Sequence, residues 1–442
     1  MKKMRASGRE VIKLHFVKNE IFASVLAICK RVKLIILIVA LIFIVNLNTF
    51  AYEIEEETDY IWLQEEISSA SANDTNEPSL NSRYAIAIDR DSKAILYGKN
   101  ETQKVPMAST TKIMTSIVLM ENLGVNNNLT LNSEIEVCKQ AGVIGGSRLG
   151  LKTGDKITIN DLLYGLMLCS GNDAAIQIAV SVSGSVEEFA NLMNKKANEL
   201  GLKSSHFVTP HGLDEEEHYT TAYELAIIAD YALNIEKIAE VVKTKTHTVY
   251  INGDRKAINN TNELLGYLDG VNGVKTGFTN GAGRCLVTSV ERGGFNIITV
   301  VLGADTKKFR TKDSINIIEY VYSNFEIVNL EELIEKEYEE WRKISQNRIY
   351  IYKGKNNSVK TELEENKYKF YPVKKENTKD IDIQIENINT HFEAPVRKNE
   401  LIGKIILSIG NQELMNIRIV TNENVERKEI KDYVMECLGE IV

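Results

Sequence analysis

Pro106-Met-Ala-Ser-Thr-Thr-Lys-Ile-Met-Thr115 opens a run to Asn122 in which Ile113, Met114, Ile117, Val118 and Met120 recur at helical spacing, closed by Gly124. The pattern predicts a helix that enters a hydrophobic core. Ser109 and Lys112, three residues apart at its start, share one face about one turn apart, so a hydroxyl and an amine can touch. Serine alone is a weak nucleophile. An adjacent lysine accepts its proton only as a neutral amine, several units below its free value, and desolvation or a second cation pushes it that way. A helix beginning at the nucleophile also aims unpaired backbone N–H groups at charge developing on a carbonyl oxygen. The tetrapeptide alone is weak evidence, because an N-cap serine beside a solvated lysine fits it as well.

Outward from this helix, Tyr84–Asp89 and Ala94–Tyr97 are short β runs joined by Arg90-Asp-Ser-Lys93, a hairpin pattern. Further helices are expected at Ile159–Leu168, Asp173–Val182, Val186–Leu200 and Ala222–Leu233. Strands return at Gly273–Phe278, Cys285–Glu291 and Phe295–Leu302, with Arg292-Gly-Gly294 as a turn. Strands at both ends of a helical middle give an α+β fold, a central antiparallel sheet flanked by helices. Lys312–Tyr322 reads as a closing helix, and 326–347 as a helical connector charged on most faces. Short alternating runs from Arg348 predict a small all-β sandwich over 348–424. In 425–442, Ile430, Tyr433, Val434, Cys437, Leu438 and Ile441 recur at helical spacing. That helix either packs on the protein or lies on a membrane surface, and its excess of acidic side chains makes attraction to anionic lipid weak.

A chain of 442 residues exceeds one ordinary core, and 43% hydrophobic with 26% charged residues argues that most of it folds. The net charge of −8 hides a basic N-terminus: residues 52–442 carry 44 basic against 59 acidic side chains. Nucleic acid is therefore a poor partner. Lys30-Arg-Val-Lys33 precedes the apolar run Leu34–Val45 and then the small residues Thr49 and Ala51, an export-signal pattern over 1–51. Twelve apolar residues reach about 18 Å, short of the roughly 30 Å hydrocarbon core. Residues 52–79, acidic and Ser/Asn-rich, read as a flexible spacer, so the first domain is expected over 80–325. Four cysteines outside the leader are too scattered for a disulfide framework or a zinc motif and read as small buried hydrophobes. His206, His211 and His218 cluster without metal-ligand spacing, so no metal is expected.

Two further triplets change the reading of Ser109. Ser170-Gly-Asn172 lies in a tight turn between two expected helices and offers a hydroxyl and an amide. Lys275-Thr-Gly277 lies on a strand, where Gly277 leaves room for a ligand backbone along the edge. In this order, the three elements resemble the penicillin-binding serine hydrolases. The chain looks most like their low-molecular-mass D-alanyl-D-alanine carboxypeptidases over residues 80–325, with Asp161-Leu-Leu-Tyr-Gly-Leu166, Ser170-Gly-Asn-Asp-Ala-Ala175, Pro210-His-Gly-Leu-Asp214 and Gly273-Val-Lys-Thr-Gly-Phe-Thr-Asn280 in agreement. His391-Phe-Glu-Ala-Pro-Val396 resembles the family's C-terminal sandwich domain.

The resemblance implies roles. Ser109 would be acylated and Lys112 would take its proton. Ser170 and Asn172 would complete the proton network and hold the substrate amide. Lys275 would supply a second cation and Thr276 a substrate contact, beside Gly277. The backbone amides of Ser109 and Phe278 would form an oxyanion hole, and only the backbone of Phe278 is needed there. Arg310 would hold a terminal carboxylate, unless it is merely a surface cation before a helix. The implied partners are a peptidoglycan stem peptide as substrate and β-lactams as inhibitors, with no cofactor, outside the cytoplasmic membrane. A D,D-endopeptidase of the same fold and a non-catalytic wall-binding scaffold are the alternatives. A class A β-lactamase would need a Glu-x-x-Leu-Asn element between Ser170 and Lys275, and the sequence has none there.

Overall fold

The structure, a computed structural model, describes residues 33, 61–70, 77–125 and 128–439. The expected export signal, apart from Lys33, lies outside them. The chain divides into two units, 1–69 and 70–442. Within the expected spacer, residues 61–70 are helical, which corrects the flexible reading there. Leu63, Ile67 and Ala70 recur on one helical face and Leu63 is buried, a short apolar stripe masked by the acidic residues around it.

In the second unit, five antiparallel strands lie in the order β2-β1-β5-β4-β3: β1 Tyr84–Asp89, β2 Ile95–Lys99, β3 Val271–Thr279, β4 Gly283–Arg292 and β5 Phe295–Ala304. β5 pairs with β1 from Tyr84↔Leu302 to Asp89↔Ile297, so the two ends of the domain are sewn together. Its run Ile297-Ile-Thr-Val-Val-Leu302 is buried throughout, as a central strand covered on both faces requires. Helices Ala222–Leu233 and Lys307–Asn324 pack on β5, and the helices between Lys112 and Val242 close a continuous core. β3, carrying Lys275-Thr-Gly277, has a strand partner on one side only.

A second core lies C-terminal. Strands Thr361–Leu363, Gln412–Thr421, Leu401–Ile409 and Ile381–Asn387 form one sheet in that order, and Tyr350–Tyr352 pairs in parallel with His391–Glu393. Helix Leu330–Ser345, expected as a connector, contributes Leu330, Ile334, Tyr338 and Trp341 to this core. Those positions recur every three to four residues, a stripe that the many glutamates between them obscure. Of the four described cysteines, Cys285 is buried, Cys138 and Cys169 are half-buried and Cys437 is exposed, so the buried-hydrophobe expectation fails at Cys437.

Candidate active site

Ala108–Thr111 forms one 3-10 turn before the α-helix Lys112–Asn122, so Ser109 sits ahead of the helix proper. Ala108 takes φ 50°, a left-handed conformation that L-residues adopt only when surroundings enforce it. The enforcement comes from the loop 206–219. Thr111 Oγ1 donates to Ala108 O at 2.8 Å and lies 2.7 Å from His218 Nε2. His218 Nδ1 accepts from Val208 N at 3.0 Å, which leaves the proton on Nε2 and makes it the donor to Thr111. Burial pushes His218 down to about 4, so the ring is neutral at neutral pH, as this tautomer requires. Gly212 presses on the same turn: a Cβ there would stand 1.9 Å from Ala108 O.

Lys112 is wholly buried, and its Nζ reaches Ser109 Oγ at 2.8 Å, Asn172 Oδ1 at 2.8 Å and His211 O at 2.9 Å. An ammonium donates to all three. A neutral amine keeps its bonds to Asn172 and His211 and turns its lone pair to the serine hydroxyl, so losing one proton converts a donor into a base without moving an atom. Burial, followed by the charge of Lys275, holds Lys112 well below the ordinary lysine value. Lys275, also buried, is pushed down to about 7 by burial, with Arg310 acting in the same direction, and donates to Thr276 O at 3.0 Å.

Asn172 begins the helix Asn172–Ser183, and its Nδ2 donates to Gly145 O at 2.8 Å, which fixes its Oδ1 toward Lys112. Ser170, buried and at φ 61°, makes the turn into that helix. Asp173 is the residue that motif reading overlooks. Its buried carboxylate accepts from the amides of Leu149, Gly150 and Leu151 at 2.7–2.9 Å and so ties the loop beside Asn172. It is adjacent to the Ser-Gly-Asn triplet, a signal that could have found it.

On β3, Thr276 Oγ1 lies 2.6 Å from Thr261 Oγ1. A Cβ on Gly277 would stand 3.2 Å from Ser109 N and 3.1 Å from Ala108 Cβ, so the strand backbone is seated on the turn that carries Ser109. Phe278 is half-exposed, with the Arg284 guanidinium 3.7 Å above its ring. Asp214 links the loop to this strand through Thr279 Oγ1 at 2.5 Å and Gly281 N at 3.0 Å. Arg310 is no surface cation: the helix Lys307–Asn324 starts earlier than expected, capped by Thr306, and Arg310 is buried against Glu263. The structure thus joins Ser109, Lys112 and Asn172 directly, sets Gly277 against them, and couples Lys275 to Lys112 through charge.

A half-buried serine paired with a buried lysine beside the edge of a helix-flanked antiparallel sheet defines a serine hydrolase site. Residues 71–306 match the family described as D-alanyl-D-alanine carboxypeptidase, and the chain belongs to that family. Residues 338–427 match the C-terminal domain of penicillin-binding protein 5. The D-alanyl-D-alanine carboxypeptidase DacF of Bacillus subtilis is 32% identical over 367 residues, 83% of this chain and 91% of the relative. DacC of Escherichia coli is 35% identical over 277 residues, 61% and 68% of the two chains. Among solved structures, penicillin binding protein 5 from Haemophilus influenzae has a TM-score of 0.66 at 26% identity, covering 80% of this chain and 99% of that one.

Proposed function

We propose that the chain removes the terminal D-alanine from peptidoglycan stem peptides through an acyl-enzyme on Ser109, and that β-lactams acylate the same oxygen. The observation that carries this reading is the buried Lys112 amine held between Ser109 Oγ, Asn172 Oδ1 and His211 O. Lys112 takes the hydroxyl proton as Ser109 Oγ bonds to the penultimate D-alanine carbonyl carbon, and the amides of Ser109 and Phe278 receive the oxyanion. Breakdown expels the terminal D-alanine, whose nitrogen gains a proton from the Lys112–Ser170–Lys275 group. Water then attacks the ester and restores Ser109. Asn172 and Thr276 hold the substrate backbone beside Gly277, and Arg310 faces the terminal carboxylate.

The division into a catalytic domain over 80–325 and a β-sandwich over 348–424 belongs to the same reading. So does action outside the cytoplasmic membrane, supported by the leader pattern of 1–51. Among the described residues no helix is long and apolar enough to cross a membrane. The C-terminal helix Ile430–Gly439 buries none of its side chains, and Ile430, Val434 and Leu438 stand exposed, which supports peripheral membrane contact over packing on the protein. The test is D-alanine release from a pentapeptide ending in D-Ala-D-Ala: the full-length protein should release one equivalent and Ser109→Ala none. Release by the variant would refute the role of Ser109.

A further inference from the structure

The segment Thr261–Glu263 runs beside the lysine-bearing strand: Thr261 meets Thr276, and Asn262 Nδ2 donates to Gly273 O at 2.9 Å. It delivers the carboxylate of Glu263 to Arg310. Arg310 Nη2 donates to Glu263 Oε1, and the Thr311 hydroxyl donates to the same oxygen. Burial pushes the Glu263 carboxyl up, but Arg310, Thr311 and Lys307 together hold it below the ordinary glutamate value, so it is an anion at neutral pH. The pair is incomplete on both sides: Glu263 Oε2 and Arg310 Nε are buried without a hydrogen-bond partner. Well-made Arg–carboxylate pairs are bidentate, and this one leaves a donor and an acceptor unused.

We propose that Glu263 is a specificity-determining residue, its carboxylate occupying Arg310 in the free enzyme and weakening the hold of the site on a substrate's terminal carboxylate. The inference rests on the reading of Arg310 as the receptor of that carboxylate. An incoming carboxylate meets a pair of zero net charge instead of a free cation. It must share the guanidinium with Glu263 while lying near a like charge. A substrate ending in an uncharged carboxamide meets no such competition. Glu263 touches no reacting atom and acts through Arg310, so its effect belongs in KM for carboxylate-ended peptides and not in kcat.

The test measures kcat and KM of the full-length protein, Glu263→Gln, Arg310→Gln and the double variant. The substrates are one peptide ending in D-Ala-D-Ala and the same peptide ending in D-Ala-D-alaninamide. Gln keeps the acceptor oxygen and removes the charge. Glu263→Gln should lower KM for the carboxylate peptide about tenfold, the lower end of the scale of one recovered charge-assisted hydrogen bond, with kcat within about twofold and the amide peptide unaffected. Arg310→Gln should raise KM for the carboxylate peptide, and adding Glu263→Gln to it should change nothing further. If Arg310→Gln raises KM while Glu263→Gln leaves it unchanged or also raises it, Glu263 merely positions Arg310 and the inference is overturned while the reading of Arg310 stands. If Arg310→Gln leaves KM unchanged, both fail. Labelling by fluorescent penicillin and a melting curve establish that each variant is folded. Should Glu263→Gln not fold, Glu263→Asp, which withdraws the carboxylate by one methylene, carries the same expectation at smaller size.

Discussion

Gly277→Ala is a one-carbon perturbation whose effect follows from three distances. The new Cβ would stand 3.1 Å from Ala108 Cβ, 3.2 Å from Ser109 N and 3.3 Å from Met107 O. All three belong to backbone or to a side chain with no rotamer, so none can swing aside. Relief requires the strand and the nucleophile turn to separate by a few tenths of an ångström. The left-handed Ala108, fixed by Thr111 and pressed by Gly212, resists that movement. An oxyanion donor works over about 2.7–3.1 Å, and losing one costs roughly 10²–10³ in rate, so a partial displacement should slow acylation by about 10- to 100-fold. Gly277 does not need a left-handed backbone, so folding should change by only about 1–2 kcal/mol, the scale of mild overpacking. The assay is the second-order rate of labelling by fluorescent penicillin, with a melting curve as control. A rate within about twofold of the parent in a normally folded variant would refute the close seating of strand on nucleophile.

The lowered lysines set the pH dependence. On the proposed mechanism acylation needs neutral Lys112, so its rate should fall as pH drops through the depressed Lys112 value. Lys275→Gln removes a charge that depresses it and should move this acid limb to higher pH; an unmoved limb would separate the two amines. For His218, Asn keeps an acceptor for the loop amides but withdraws the donor to Thr111, whereas Gln keeps a donor near Nε2. Acylation should drop about fivefold more in His218→Asn than in His218→Gln, the ~1 kcal/mol of one buried hydrogen bond, and equal rates would remove Thr111 from the account. Burial holds His211 down to about 3 and His218 down to about 4, below the 6.5 of the unfolded chain, so the unfolded state binds protons first as pH falls. Folding stability should therefore decline between about pH 6.5 and 4, and a melting temperature flat across that window would contradict neutral burial of both rings.

What could be read from the sequence was what residue type and period encode. Ser109, Lys112 and Asn172 are side chains in recognisable motifs, and each sits at an element boundary that apolar spacing located within three residues. The third partner of Lys112 is the carbonyl of His211, a backbone group that any residue supplies, so no letter marks it. Glu263 is likewise invisible, because its importance comes from meeting Arg310 across 47 residues of chain. Other omissions had signals. Asn252-Gly253, both at positive φ, turns the hairpin Thr246–Ile251 to Asp254–Asn259, and Asn-Gly is a strong hairpin dipeptide. The helix Leu330–Ser345 was legible as a core element from Leu330, Ile334, Tyr338 and Trp341 once the glutamates between them were set aside. The start of the helix that bears Arg310 carries little apolar period, because five polar residues, Lys307, Lys308, Arg310, Thr311 and Lys312, leave Phe309 alone among its first six positions, while Thr306 is the cap.

The most direct measurement is peptide mass spectrometry of the full-length protein after brief exposure to benzylpenicillin. A covalent penicilloyl group should appear on Ser109 alone, be absent in Ser109→Ala, and form far more slowly in a folded Lys112→Ala variant. An adduct on any other residue, or one that survives loss of the Ser109 hydroxyl, would contradict the assignment of nucleophile and base.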